Sequence, residues 1–167
     1  MKHINENEIY DFVDYAIKYY LDISFIEEMP LGQTAYDRKS TSVDNNDILI
    51  KLKEKYLLSK SDLSTSGPAE YFSIKNTKTR IGLISPHSHN FCENCNRVRI
   101  SCKGELFLCL GHDTKVELMS LIRSFPNDDE PIKEALLNSM TIKPKSHNFD
   151  LEKKQPSVVR FMSHTGG

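Results

Sequence analysis

Four cysteines fall between residues 92 and 109, and three of them are spaced Cys92-x2-Cys95-x13-Cys109. A Cys-x2-Cys pair places two thiolates on one tight turn, close enough to share a soft metal. A third thiolate from a distant strand would close the site. Three thiolates with no fourth ligand can hold a [4Fe–4S] cluster with one iron open to an outside ligand. The rival is structural zinc, for which Cys109-x2-His112 repeats the spacing and completes a Cys₃His set. Spacing alone favours the zinc site and leaves the cluster open. Cys102 lies off the pattern and reads as a half-buried strand residue, able to serve as a ligand only if its Lys103-Gly104 turn swings it inward.

Two arginines, Arg97 and Arg99, sit between the cysteine pair and the third thiol. In a strand, residues two apart point to one side, so both guanidinium groups are expected on one face with Val98 and Ile100 on the other. Arginines on a hairpin are ordinarily a solvated face. Beside a metal they become candidates for a bidentate grip on phosphate or carboxylate. His87 and His89 precede the first cysteine and read as exposed loop residues before they read as ligands.

These side chains need elements to position them. Residues 97–101 and 105–109 form an expected hairpin around the turn at Lys103-Gly104. Upstream, residues 71–74 and 80–84 read as strands joined by a polar turn, and Ser85-Pro86 breaks the second. An amphipathic helix is expected over residues 45–57, carrying Ile48, Leu49, Leu52 and Tyr56, with Asp44 as its cap. The first twenty residues read as a helix capped by Asn5, with Ile9, Phe12, Val13, Ala16, Ile17 and Tyr20 on one face. A β-like run at 23–26 follows, so a helix feeding a strand opens the sequence as a half-unit of an α/β architecture. Residues 32–42 read as a loop and 59–68 as a Ser-rich connector. After Cys109, a helix through Val116, Met119, Ile122 and Arg123 has Asp113 as its cap, and another follows Pro131. From Lys143 the pattern turns polar and irregular.

Composition bounds the rest. Of 167 residues, 27% are charged and 38% hydrophobic, which suits a globular protein with its own core. The formal net charge of -1 exerts no global pull on nucleic acid or membrane, so anion binding must come from local patches. No apolar run approaches the roughly 20 residues that span a bilayer. The opening residues lack a signal-peptide apolar segment, and a cytoplasmic location is expected. In a reducing compartment, clustered cysteines point to metal or catalysis rather than disulfides.

In combination these residues resemble a known family. The runs Ile81-Gly82-Leu83-Ile84-Ser85-Pro86 and Asn90-Phe91-Cys92-Glu93-Asn94-Cys95-Asn96-Arg97-Val98-Arg99 resemble the molybdenum cofactor biosynthesis protein A family, the GTP 3′,8-cyclases. Phe25-Ile26-Glu27-Glu28-Met29-Pro30, the cysteine spacing and Gly166-Gly167 resemble it too, in the same order along the chain. The resemblance displaces the preference for zinc. It implies a radical S-adenosylmethionine enzyme with two [4Fe–4S] clusters. An N-terminal Cys-x3-Cys-x2-Cys cluster cleaves S-adenosylmethionine, and the 5′-deoxyadenosyl radical abstracts the 3′ hydrogen of GTP. The ribose carbon then attacks C8 of guanine, giving 3′,8-cyclo-7,8-dihydro-GTP on the way to molybdopterin. The second cluster binds guanine through its open iron.

Carried over by position, the resemblance implies Cys92, Cys95 and Cys109 as ligands of that second cluster and Arg97 and Arg99 as GTP contacts. Met29 corresponds to a position lining the S-adenosylmethionine site, and Gly166 and Gly167 to a tail reaching the active site. The implied fold is α/β: residues 1–31 as the last helix and strand of an incomplete TIM-type (β/α) barrel, then 32–167 as an α+β C-terminal domain with antiparallel hairpins and the cluster site. Two departures matter. The sequence holds no Cys-x3-Cys-x2-Cys, so the chain alone is expected to be inactive, needing a radical-generating half or a second protomer as partner. Ser24 also stands where the family commonly has a basic residue.

Overall fold

The computed structural model describes every residue except Ser66, Lys154, Gly166 and Gly167. The chain forms two compact units, one of residues 1–29 and 36–91, the other of residues 30–35 and 92–167. The sequence-derived division at residue 31 groups elements by likeness to a family. The first helix and strand pack into one core with residues from the 36–91 segment.

The first unit is a four-stranded sheet covered by helices. Its strands are β1 (Ile23–Ile26), β2 (Leu58–Lys60), β3 (Glu70–Ile74) and β4 (Arg80–Ile84), in the order β1-β4-β3-β2. β1 runs parallel to β4, while β3 pairs antiparallel with both β4 and β2. Helix α1 (Ile9–Lys18) buries Ile9, Val13 and Ala16, one stripe at helical spacing. Helix α3 (Asn45–Lys55) buries Ile48 and Leu52 against the same core, which Tyr56, Phe72, Ile74, Ile81 and Leu83 complete. A fully buried leucine such as Leu52 is worth about 1.5–3 kcal/mol of transfer free energy, so this is the chain's main apolar store. A short helix, α2 (Arg38–Thr41), stands in the segment expected to be loop, capped by Asp37.

Sheet register explains one glycine. Gly82 lies opposite Ser24, and a Cβ there would meet the Ser24 Oγ at 2.5 Å and the Tyr71 ring at 3.1 Å. The parallel pair could not close around a side chain.

A polar knot ties the ends of β1 and β4. Glu27 is 5% exposed, and its carboxylate accepts hydrogen bonds from the backbone N–H groups of Asn45 (3.0 Å), His87 (2.9 Å) and Ser88 (3.1 Å), and from the Ser88 hydroxyl. The Asn45 amide in turn donates to the Ile84 carbonyl and the Ser85 Oγ, both at 2.9 Å. Burial pushes the Glu27 carboxyl up, but these donors together outweigh it and hold the group below its ordinary value. The knot fixes residues 84–88, which lead the chain toward the cysteines.

The second unit is smaller. Strands β5 (Arg99–Ile100), β6 (Glu105–Phe107) and β7 (Lys115–Glu117) form an antiparallel sheet in that order. Gly104 turns β5 into β6 with a φ of +75°, a conformation that favours glycine. Helices α4 (Leu118–Ser124) and α5 (Glu130–Thr141) follow, the latter with Pro131 in its first turn. The apolar core here is Leu106, Leu108 and Leu118, flanked by Val116 and Ala135.

Several local expectations are corrected. Asn5 does not cap α1; its Oδ1 accepts from the chain's terminal amine at 2.6 Å, and a 3₁₀ turn over Glu6–Glu8 starts the helix. Phe12 and Tyr20 are exposed, Tyr20 lying past the helix with a φ of 56°. Val116 belongs to a strand rather than a helix, and Asp113 caps nothing because Arg160 holds its carboxylate. Cys102 is exposed in the turn instead of half-buried in a strand.

Candidate metal centre

The Cys-x2-Cys pair sits on a 3₁₀ turn over Cys92–Asn94. The Cys95 N–H donates to the Cys92 carbonyl at 3.0 Å, closing the turn that carries both cysteines. Cys109 lies just past β6, and all three thiols are half-buried. Burial pushes the Cys109 thiol up. The Gly111 N–H, bonded to its sulfur, and the Lys143 ammonium pull it down, while charge on Cys92 and Cys95 pushes it up again. Cys109 therefore responds to both partners of the pair. Among the described residues, however, no three His, Cys, Asp or Glu side chains are drawn together closely enough to hold a metal ion as they stand.

The chemistry of the donor set discriminates between the two candidate centres. His112 is the residue a Cys₃His zinc site would require. Its Nε2 faces the Ser146 carbonyl at 2.8 Å, so that nitrogen donates its proton, and its Nδ1 takes a hydrogen bond from the Asn148 amide at 3.3 Å. Both ring nitrogens are thus engaged away from the thiols. What remains is three half-buried thiols, a backbone N–H directed at one sulfur and a nearby ammonium. That set suits an anionic three-thiolate cluster.

Arg99 opens β5 opposite Phe107, and Arg97 precedes it in irregular backbone. Strand alternation therefore does not extend to Arg97. Among the described residues, neither guanidinium has an ion-pair partner, which leaves two cations available to an anion. Met29 is half-buried and belongs to the first unit, whereas the thiols and both arginines belong to the second. His87 is turned to the Glu28 carbonyl at 2.9 Å, and His89 is exposed. Gly166 and Gly167 lie outside the described residues.

Two side chains that sequence reasoning passed over shape this region. Lys143 donates to the carbonyls of Arg97 (2.9 Å) and Leu108 (2.6 Å), tying the approach to one thiol to the approach to another. Arg160 donates to the carbonyls of Cys109, Leu110 and His112 and pairs with Asp113. No local pattern in the sequence could have shown either role.

The fold defines a class: a mixed α/β protein with a small β unit that carries three half-buried cysteines. Residues 21–149 match the family described as Molybdenum Cofactor Synthesis C. The chain is 44% identical over 164 residues to the "GTP 3',8-cyclase" of Ectopseudomonas mendocina, covering 98% of this chain and 49% of that protein. It is 44% identical over 168 residues to the "GTP 3',8-cyclase" of Saccharophagus degradans, covering 100% of this chain and 50% of the relative. A third relative, the "GTP 3',8-cyclase 2" of Pseudomonas aeruginosa, is 45% identical over 164 residues. The chain thus belongs to the Molybdenum Cofactor Synthesis C family, and the resemblance to the molybdenum cofactor biosynthesis protein A family is borne out. It spans about half the length of these curated relatives. No helix of the described residues is long and apolar enough to cross a membrane.

Proposed function

We propose that this chain is the C-terminal portion of a GTP 3′,8-cyclase, and that it carries the substrate-side [4Fe–4S] cluster and the GTP grip of that enzyme in molybdenum cofactor biosynthesis. The single observation that carries the reading is the thiol set. Cys92 and Cys95 share one turn, Cys109 responds electrostatically to both, and His112 is committed to Ser146 and Asn148. Such a cluster, when bound, supplies one iron with an open position for the guanine base. Arg97 and Arg99 supply positive charge where a triphosphate needs it.

The remaining assignments follow from the same reading. Residues 1–31 are the last helix and strand of a (β/α) barrel, and 32–167 the C-terminal domain. β1 supports this, being a parallel strand at the sheet's edge whose own Ile26 is 59% exposed. Met29 belongs to the S-adenosylmethionine site, and Gly166 and Gly167 reach the reacting nucleotide. S-adenosylmethionine cleavage falls to the radical-generating half or to a second protomer. Ser24 would leave one substrate contact weaker than a basic residue gives.

Anaerobic reconstitution with iron and sulfide tests the proposal. The chain should turn brown and retain about four irons. A colourless protein holding one tight zinc would overturn it in favour of the Cys92, Cys95, Cys109 and His112 zinc module. His112→Ala separates the two: zinc affinity would collapse, whereas cluster content should hardly change.

A further inference from the structure

Residues 158–165 carry a cation whose hydrogen bonds all go to the third-cysteine loop. The Arg160 side chain is 10% exposed and its guanidinium lies over the Phe107 ring, 4.3 Å from the centroid. One terminal nitrogen is shared among the carbonyls of Cys109 (3.1 Å), Leu110 (3.0 Å) and His112 (2.6 Å), and the other pairs with the Asp113 carboxylate. Three carbonyls and a carboxylate so close together would repel one another and lack donors without it. A planar fork with five N–H groups is the side chain that satisfies such a cage.

The segment carrying Arg160 is anchored on both sides. Val158, 1% exposed, bridges Leu31, and its carbonyl accepts from the Gly32 N–H at 3.0 Å. The Phe161 ring fills the space a side chain at position 32 would need. His164 stands 3.7 Å from the Glu105 carboxylate and edge-on to Phe107, and Thr165 is buried. Arg160 is therefore presented from a fixed strap.

We propose that Arg160 is a positioning residue that folds the loop at residues 109–113 into the shape in which Cys109 can join Cys92 and Cys95, coupling the C-terminal strap to the metal centre. The coupling to a cluster rests on the function proposed above; the ordering of the loop does not. Loss of Arg160 frees the loop carbonyls to seek water, and Cys109 moves with them.

The test uses the full chain carrying Arg160→Gln, Arg160→Lys or Asp113→Asn, first without metal. Amide hydrogen exchange at residues 109–113 and alkylation of Cys109 should accelerate by about tenfold or more in Arg160→Gln, partway in Arg160→Lys and least in Asp113→Asn. Amides of α3 and β4 should keep their protection, which a general loss of stability would not allow. After reconstitution, Arg160→Gln should lose iron to a chelator about tenfold faster than the parent. Unchanged exchange at 109–113 in Arg160→Gln overturns the proposal. Should that variant lose protection everywhere, Asp113→Asn decides: local acceleration supports the clamp and none overturns it. If the parent chain takes up no iron, the cluster reading fails while the exchange comparison still judges the clamp.

Discussion

The two units are held together by different physics. The first closes around a contiguous apolar core drawn from two helices and two strands, with Tyr56 beside them. The second has a smaller apolar cluster, built on Leu106, Leu108 and Leu118, and depends on charged side chains reaching across it: Arg160 to a carbonyl cage, Lys143 to two backbone carbonyls, and Glu105 to Ser101 and Lys115. Apolar burial is non-directional and tolerates adjustment, whereas a polar tie fixes an orientation. On the function proposed above, a unit that sets three thiols at defined places gains more from the second kind. The first unit thus reads as scaffold and the second as a site stiffened by hydrogen bonds.

The largest effect should come from removing one thiol. Cys109→Ser is expected to abolish iron retention while leaving exchange protection in α1 and α3 intact, because no core residue of the first unit is touched. Loss of that protection would show that the stability of the first unit depends on Cys109. The converse is Leu52→Ala. Leu52 is fully buried among Val13, Ile81 and their neighbours, and its truncation should cost about 3 kcal/mol in urea unfolding. Iron binding by the folded fraction should persist.

Much of the first unit is legible in the sequence, and the reason is apolar periodicity. Phe72 and Ile74 of β3 alternate with the half-buried Tyr71 and Ser73, and Asp44 announces α3 by capping it, its carboxylate accepting from the Asn46 N–H at 2.7 Å. Strands β2 and β7 escape because three residues with a single partly buried apolar side chain carry no period. Val116 at helical spacing from Met119 even favours the wrong element. The cysteine pair is legible because ligand spacing is local. Arg160 and Lys143 are not, since their partners are backbone carbonyls 35 to 51 residues away. A carbonyl acceptor has no sequence signature, so the stiffening of the second unit cannot be read before it is folded.

Within the scaffold, Glu27 is the exception that behaves like the second unit: a buried carboxylate fixing backbone. Glu27→Gln keeps the shape but removes the charge and replaces one acceptor oxygen by an NH2 that cannot accept, and should cost about 2 kcal/mol. Its pH dependence has a definite sign. The folded group titrates below its ordinary value of 4.5, so its stabilisation is present above that value and is lost as pH falls through the folded one. The Gln variant should show a flatter acid limb, and an unchanged limb would show that other carboxylates control it.

The smallest expected effect lies where the scaffold's apolar core meets a polar tie. Tyr56 is 8% exposed, packs with the core, and donates its hydroxyl to Asp14 at 2.7 Å. Burial first, then the bond to Asp14, pushes its hydroxyl up to about 12. Tyr56→Phe keeps the ring and loses the bond, so near neutral pH it should cost about 1 kcal/mol. Raised titration in the fold means that Tyr56 contributes its full stabilisation below the ordinary value of 10.0 and loses it as pH rises toward the folded value. Urea unfolding across that alkaline range should therefore bring parent and variant together. If Tyr56→Phe instead costs nothing near neutral pH, the contribution of Tyr56 is its ring alone, and the first unit is still more purely an apolar scaffold than its hydrogen bonds suggest.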